Sequence, residues 1–275
     1  MFTLPLTLPT GKKVRIPEVT NKAMFTIIKH SQINDFDGLV KFIDDILFSK
    51  IDASLNIVEK FYILLYMRII GLGSEITINT KENSFVKNTS LNLFTIIEKL
   101  ELLPKIKEDV IIVNNFTIRL GLPSKLHFAS QDDIVFDCFK SIKFGDDEVN
   151  VSLLPDSERD KLYENLDPTI TSHFITYLNN ISQILGELIV IPKNDMLGIE
   201  EVKVAPISNA PIMLIAQLFN QDIKSFFEFM YHFVNKIGGS VEDFFALTYS
   251  DCKIILDFYV DEVEKQNEEA KAIKR

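Results

Sequence analysis

The residues of this 275-residue chain whose types could do chemistry are four histidines, two cysteines, a few acidic clusters, one glycine pair and one arginine in an apolar run. Their spacing argues against an assembled site. His30, His127, His173 and His232 are isolated in sequence, and none has a companion at a helical or loop spacing that metals use. Cys138 and Cys252 lie far apart and form no redox or metal spacing, which predicts buried thiols in a reducing compartment. Asp44-Asp45, Asp132-Asp133 and Asp146-Asp147-Glu148 lack the alternating oxygen ligands of a calcium loop, so they read as caps, turns and solvated helix faces. Gly71-Leu72-Gly73-Ser74 resembles a phosphate loop only superficially. It follows a helix and precedes a strand, the reverse of the order that aims a helix N-terminus at an anion, and it reads as a helix stop. No catalytic residue, metal or cofactor is expected from these groups.

Arg68, inside FYILLYMRIIG, is the exception that needs an account. An unpaired buried charge costs several kcal/mol, so this guanidinium must reach the surface or meet a set of carboxylates or carbonyls. A structural role is expected for Arg68, Gly71 and Gly73. The enzymatic alternative is a site assembled from scattered residues such as Arg68, His127 and Asp133, which would have to converge on one pocket.

Around these groups the composition is that of a globular chain, 47% hydrophobic, with a net charge of -10. The negative balance opposes phosphate backbones and argues against nucleic acid as a partner. No run of apolar residues is long enough for a membrane span, and MFTLPLTLPTGKK lacks the order of a secretory signal. Residence in a cytoplasm is the expectation.

The elements that must position these residues are legible in part. Phe2 to Leu8 and Val14 to Ile16 flank Thr10-Gly11-Lys12 as a hairpin, and Val110 to Val113 with Phe116 to Leu120 form a second across Asn114-Asn115. Helical spacing predicts helices over Asn21 to His30, through Leu39, Phe42, Ile43, Ile46 and Leu47, and after a Ser54 cap up to Gly71 and Gly73. Glu75 to Ile78 reads as a strand and Asn79 to Ser90 as a loop, followed by a helix from Leu91 to Leu102. Gln131 to Lys143 reads as a helix, Ser157 opens another, and Asp167 with Pro168 starts a third that runs to about Leu185. The fold class is α+β, mostly helical, with N-terminal and central β-hairpins and a C-terminal helical module.

Several stretches, in order, resemble the baseplate hub assembly proteins of T4-like contractile-tailed phages. They are the strand, turn and strand of Leu6 to Ile16; EKFYILLYMRIIGLGSE at Glu59 to Glu75, with Arg68 and Gly73 at the family's arginine and glycine; CFKSIKFGDDEV at Cys138 to Val149; and DSERDKLYENLDPTITSHFITYL at Asp156 to Leu178. The likeness covers roughly residues 1 to 195. It implies a non-enzymatic part in building the central hub of the baseplate, as an assembly factor or as a hub subunit. Other hub or tail proteins are the implied partners, self-association is a further option, and the implied setting is the host cytoplasm during assembly or the virion baseplate. The family supplies no catalytic residues. Some relatives carry cysteines in the loop after the glycine turn; Asn79 to Asn88 has none here.

A boundary is expected near Ala205, dividing a mixed α+β part, 1–204, from a Phe-rich helical part, 205–275. In the latter, Phe219, Phe226, Phe227, Phe229, Met230 and Phe233 lie on a helix whose apolar arc spans about half its circumference, wider than the usual stripe of roughly 100°. Phe244 and Phe245 follow on a short helix opened by Ser240 with Asp243. Such an arc either builds a core or meets a partner. The expectation names those eight side chains as the contact surface, in a hub-assembly protein or in a generic protein–protein adaptor.

Overall fold

The protein is described by a computed structural model, which covers residues 3–51, 53–82, 85–102, 109–113, 116–128, 131–186, 189–191, 202–204, 216, 218–219 and 223–273. It is a mostly helical α+β fold. β1 (Thr3–Thr7) and β2 (Lys13–Pro17) form the first antiparallel hairpin, with Gly11 at φ +85° in the turn. α1 (Asn21–Gln32) follows, capped by Thr20, and buries Met24, Ile27 and Ile28. α2 (Phe36–Phe42) runs on into a π turn at Ile43–Leu47, so Leu39, Ile43 and Leu47 still face inward at spacings of four.

α3 (Ile57–Leu72) is buried on most sides, as its apolar content requires. Its cap is Asn56 rather than Ser54. The Asn56 side chain accepts from Glu59 N while Glu59 returns the bond to Asn56 N, a reciprocal arrangement that Ser54 stands too far upstream to make. The buried Glu59 carboxylate also receives Lys12 Nζ at 3.0 Å, tying the first hairpin to α3.

The expected loop after Ile78 is instead a hairpin of β3 (Glu75–Glu82) and β4 (Phe85–Asn92). Backbone bonds hold its ladder, so the polar sequence needed no apolar alternation to pair. α4 (Leu93–Leu102) then packs Leu93, Ile96, Ile97 and Leu100 into the core. β5 (Asp109–Val113), β6 (Phe116–Leu120), β7 (Phe139–Phe144) and β8 (Asp147–Asn150) form an antiparallel meander in that order. Here the expected helix of Gln131 to Lys143 is overturned. α5 (Gln131–Cys138) stops early because Phe139–Phe144 pairs with β6, matching Ile142 to Ile118 and Phe144 to Phe116. Gly145, at φ +60°, makes the turn into β8.

α6 (Asp156–Glu164) begins after Pro155 without a side-chain cap, so Ser157 is not its cap. α7 (Pro168–Gly186) has Asp167 accepting from Thr169 N at 2.7 Å and sends Phe174 into the core. β9 (Ile189–Ile191) pairs antiparallel with β10 (Val202–Val204). The boundary expected near Ala205, and the turn residues Asn114-Asn115, lie outside the described residues.

The C-terminal helices are α8 (Ile223–His232), which continues as a π turn at Phe233–Ile237, α9 (Val241–Ala246) and α10 (Tyr249–Ile273). Gly238 ends the first at φ +76°, and Ser240 and Asp243 cap α9 reciprocally. Thr248 and Asp251 repeat the device for α10. These helices share one apolar core with α1 and α3. Leu247 O accepts from Asn21 N at 2.8 Å, Phe244 O from Asn21 Nδ2 at 2.9 Å, and Ile70 O from Ser250 Oγ at 2.6 Å.

Candidate partner-binding face

The eight side chains expected to meet a partner divide by position. Phe219, Phe226, Phe233 and Phe244 are buried, so they are core residues and are not available at the surface. Phe244 is the hub of their cluster, with ring centroids of Phe226, Phe229, Phe233 and Phe245 within 5.5–5.7 Å. Phe229, Met230 and Phe245 are partly buried at its margin. Phe227 is 41% exposed.

Phe25 of α1 explains the division. Its ring lies 5.6 Å from Phe226 at 30°, 5.6 Å from Phe227 edge-on, and 5.8 Å from Phe245. α8 therefore spends one flank of its wide arc on α9 and another on α1, and Phe227 is left at the rim with half its ring covered. Tyr231, one turn further along α8, is 62% exposed beside His232. On α10, Cys252, Ile255 and Leu256 turn inward, whereas Ile254 and Phe258, four residues apart, point out, Phe258 being 71% exposed.

Arg68 is 8% exposed and solves its charge problem with carbonyls. Nε donates to Leu218 O at 2.7 Å, Nη1 to Gly73 O at 2.6 Å and Nη2 to Glu75 O at 3.2 Å. Gly73 supplies its carbonyl because φ +87° reverses the chain at the end of α3, bringing it back beside an arginine five residues earlier. Burial lowers the Arg68 pKa to about 10, so the guanidinium stays charged at neutral pH. Gly71 lies within α3, where a Cβ would sit 3.0 Å from Met24 Cε. Arg68 and Gly73 are bonded to each other at the end of α3, and Gly71 lies beside Met24.

The other candidate groups are dispersed. His30 Nδ1 lies 2.8 Å from Asp35 Oδ2, while Asp35 Oδ1 accepts from Gly38 N and caps α2. His127 Nε2 is 4.0 Å from Asp37, and His173 and His232 are exposed. Asp44 meets Lys60 at 2.6 Å, and Glu148 accepts from Ser141, which together with nearby Arg119 keeps its carboxyl below the usual range. Among the described residues no group of three His, Cys, Asp or Glu side chains could hold a metal ion. A cleft of about 710 Å³ between α5 and α6 is lined by Asp133, Asp137, Lys140, Arg159 and Tyr163. Of the three scattered residues of the enzymatic alternative, Asp133 lines this cleft and Arg68 and His127 do not. Among the described residues no helix is long and apolar enough to cross a membrane.

The protein is thus a mixed α+β scaffold with an aromatic rim on its C-terminal helices. A family model described as T4 bacteriophage base plate protein matches residues 1–190, and the chain belongs to that family. No curated protein and no solved structure matches it.

Proposed function

We propose that this chain is a non-enzymatic assembly component of the baseplate central hub, binding hub or tail proteins while the tail is built in the host cytoplasm. The contact is the rim of the aromatic cluster: Phe227 at its centre, Phe229, Met230 and Phe245 at its edge, and Tyr231 beside it. The observation that carries this reading is the position of Phe227. Its neighbour Phe226 is fully buried, while Phe227 rests edge-on against Phe25 and keeps 41% of its surface in solvent. A rigid aromatic side chain held by a core and open on one face is the kind of anchor that dominates protein–protein contacts. Family membership supports the baseplate setting.

The test is co-purification of tagged protein from infected cells. The double variant Phe227→Ser with Tyr231→Ser is expected to keep the wild-type circular dichroism spectrum and to lose the captured tail proteins by at least ten-fold. Undiminished capture by the folded variant would remove this face from the account. Mass spectrometry of purified particles then separates a hub subunit, which remains, from an assembly factor, which leaves.

A further inference from the structure

We infer that Ala216, Leu218, Phe219 and residues 223–273 form a strap that closes as a unit over α1 and the end of α3, and that opens as a unit while the four-stranded sheet stays folded. The strap shares the apolar core of α1 and α3, and the hydrogen bonds across the joint beneath it are single ones rather than a ladder. Asn21 N and Nδ2 donate to Leu247 O and Phe244 O, Ser250 Oγ to Ile70 O, and Arg68 Nε to Leu218 O, with one bridge between Thr20 and Thr248. Phe25 is the aromatic ring that crosses it.

That joint also holds a polar cost. The buried Oδ1 of Asn21 has no hydrogen-bond partner among the described residues. Opening returns it to water and recovers that cost, while Arg68 gives up one of its three carbonyls and keeps those of Gly73 and Glu75, so the joint separates more readily than a fully paired one would. The strap, by contrast, is organised within itself. The ring partners of Phe244 lie in the strap, and the reciprocal caps at Ser240 with Asp243 and Thr248 with Asp251 start α9 and α10 without help from α1. Local opening of such a unit is the ordinary form of sub-global unfolding.

Two free cysteines report on the two parts. Cys252 is fully buried in the joint, with Asn21 Nδ2 3.2 Å from its Sγ, and Cys138 is fully buried at the junction of α5 and β7. The experiment is maleimide labelling of the full chain over a urea series below the unfolding transition, with each site resolved by mass spectrometry. Cys252 is expected to label about a hundred-fold faster than Cys138, with a shallower urea dependence because opening exposes less surface. Burial raises the two thiols to about 11 and about 12, a difference that accounts for only about ten-fold. Ser250→Ala, which deletes one bond of the joint, should speed Cys252 roughly two- to ten-fold and leave Cys138 unchanged. A urea dependence for Cys252 equal to or steeper than that of Cys138 would overturn the strap, as would an equal acceleration of both sites by Ser250→Ala.

Discussion

Arg68 shows how a single residue can organise a junction without doing chemistry. Its guanidinium carries three carbonyl bonds, two of them to the reversal that Gly73 makes and one to Leu218. The cost of burying the charge is offset only while all three acceptors stay in place. Arg68→Ala should therefore destabilise the protein by about 3 kcal/mol in urea unfolding, because it leaves buried carbonyls without donors. Arg68→Lys keeps the charge but has no planar fork to reach three divergent oxygens, and it should recover less than half of that loss. Equal stability of wild type and Arg68→Ala would contradict the junction role. The sequence already demanded a partner for this charge. It did not say which, because Leu218 lies 150 positions away and is joined to Arg68 only by the folding of the C-terminal helices.

At the scale of elements, α8 carries the main ambiguity of the sequence. An apolar arc of half a helix is compatible with a double-sided core or with a core and an interface, and both occur here in adjacent residues. Phe226→Ala should cost about 3–5 kcal/mol as a cavity in the cluster, whereas Phe227→Ala should cost less than about 1.5 kcal/mol, both read from denaturant midpoints. A comparable loss at both positions would make Phe227 a core residue. What was legible were features set by local chemistry: the turn at Gly11, the helical spacing of α1, α4 and α7, and the reciprocal cap at Ser240 and Asp243. What was not legible depended on distant partners. Phe139–Phe144 became a strand because β6 was there to pair with it, and beyond Ile78 the polar β3–β4 hairpin had no apolar period to announce it. The same reason hid the fate of the eight aromatic-arc residues, since Phe25 sits about 200 positions upstream of Phe226, and its place decides which rings are covered.

For the whole molecule, the family match ends at residue 190, and the packing does not. Asn21 and Arg68, both within the matched part, donate to Phe244, Leu247 and Leu218 beyond it, and the baseplate-family scaffold and the C-terminal helices share one core. The proposed contact face and the proposed strap therefore belong to the same segment, and a partner that grips Phe227 pulls on the joint over α1. The net charge of -10 gives the chain a negative long-range field, so a partner for the proposed face is expected to carry a basic rim. The most direct measurement of the central claim is photo-crosslinking in infected cells from a benzoylphenylalanine placed at Tyr231, with a second placed at Ile112 on the exposed face of β5 as the control. Covalent capture of a baseplate hub or tail protein is expected from position 231 and not from 112. Capture from 112 alone, or from neither position in cells that assemble tails, would contradict that claim.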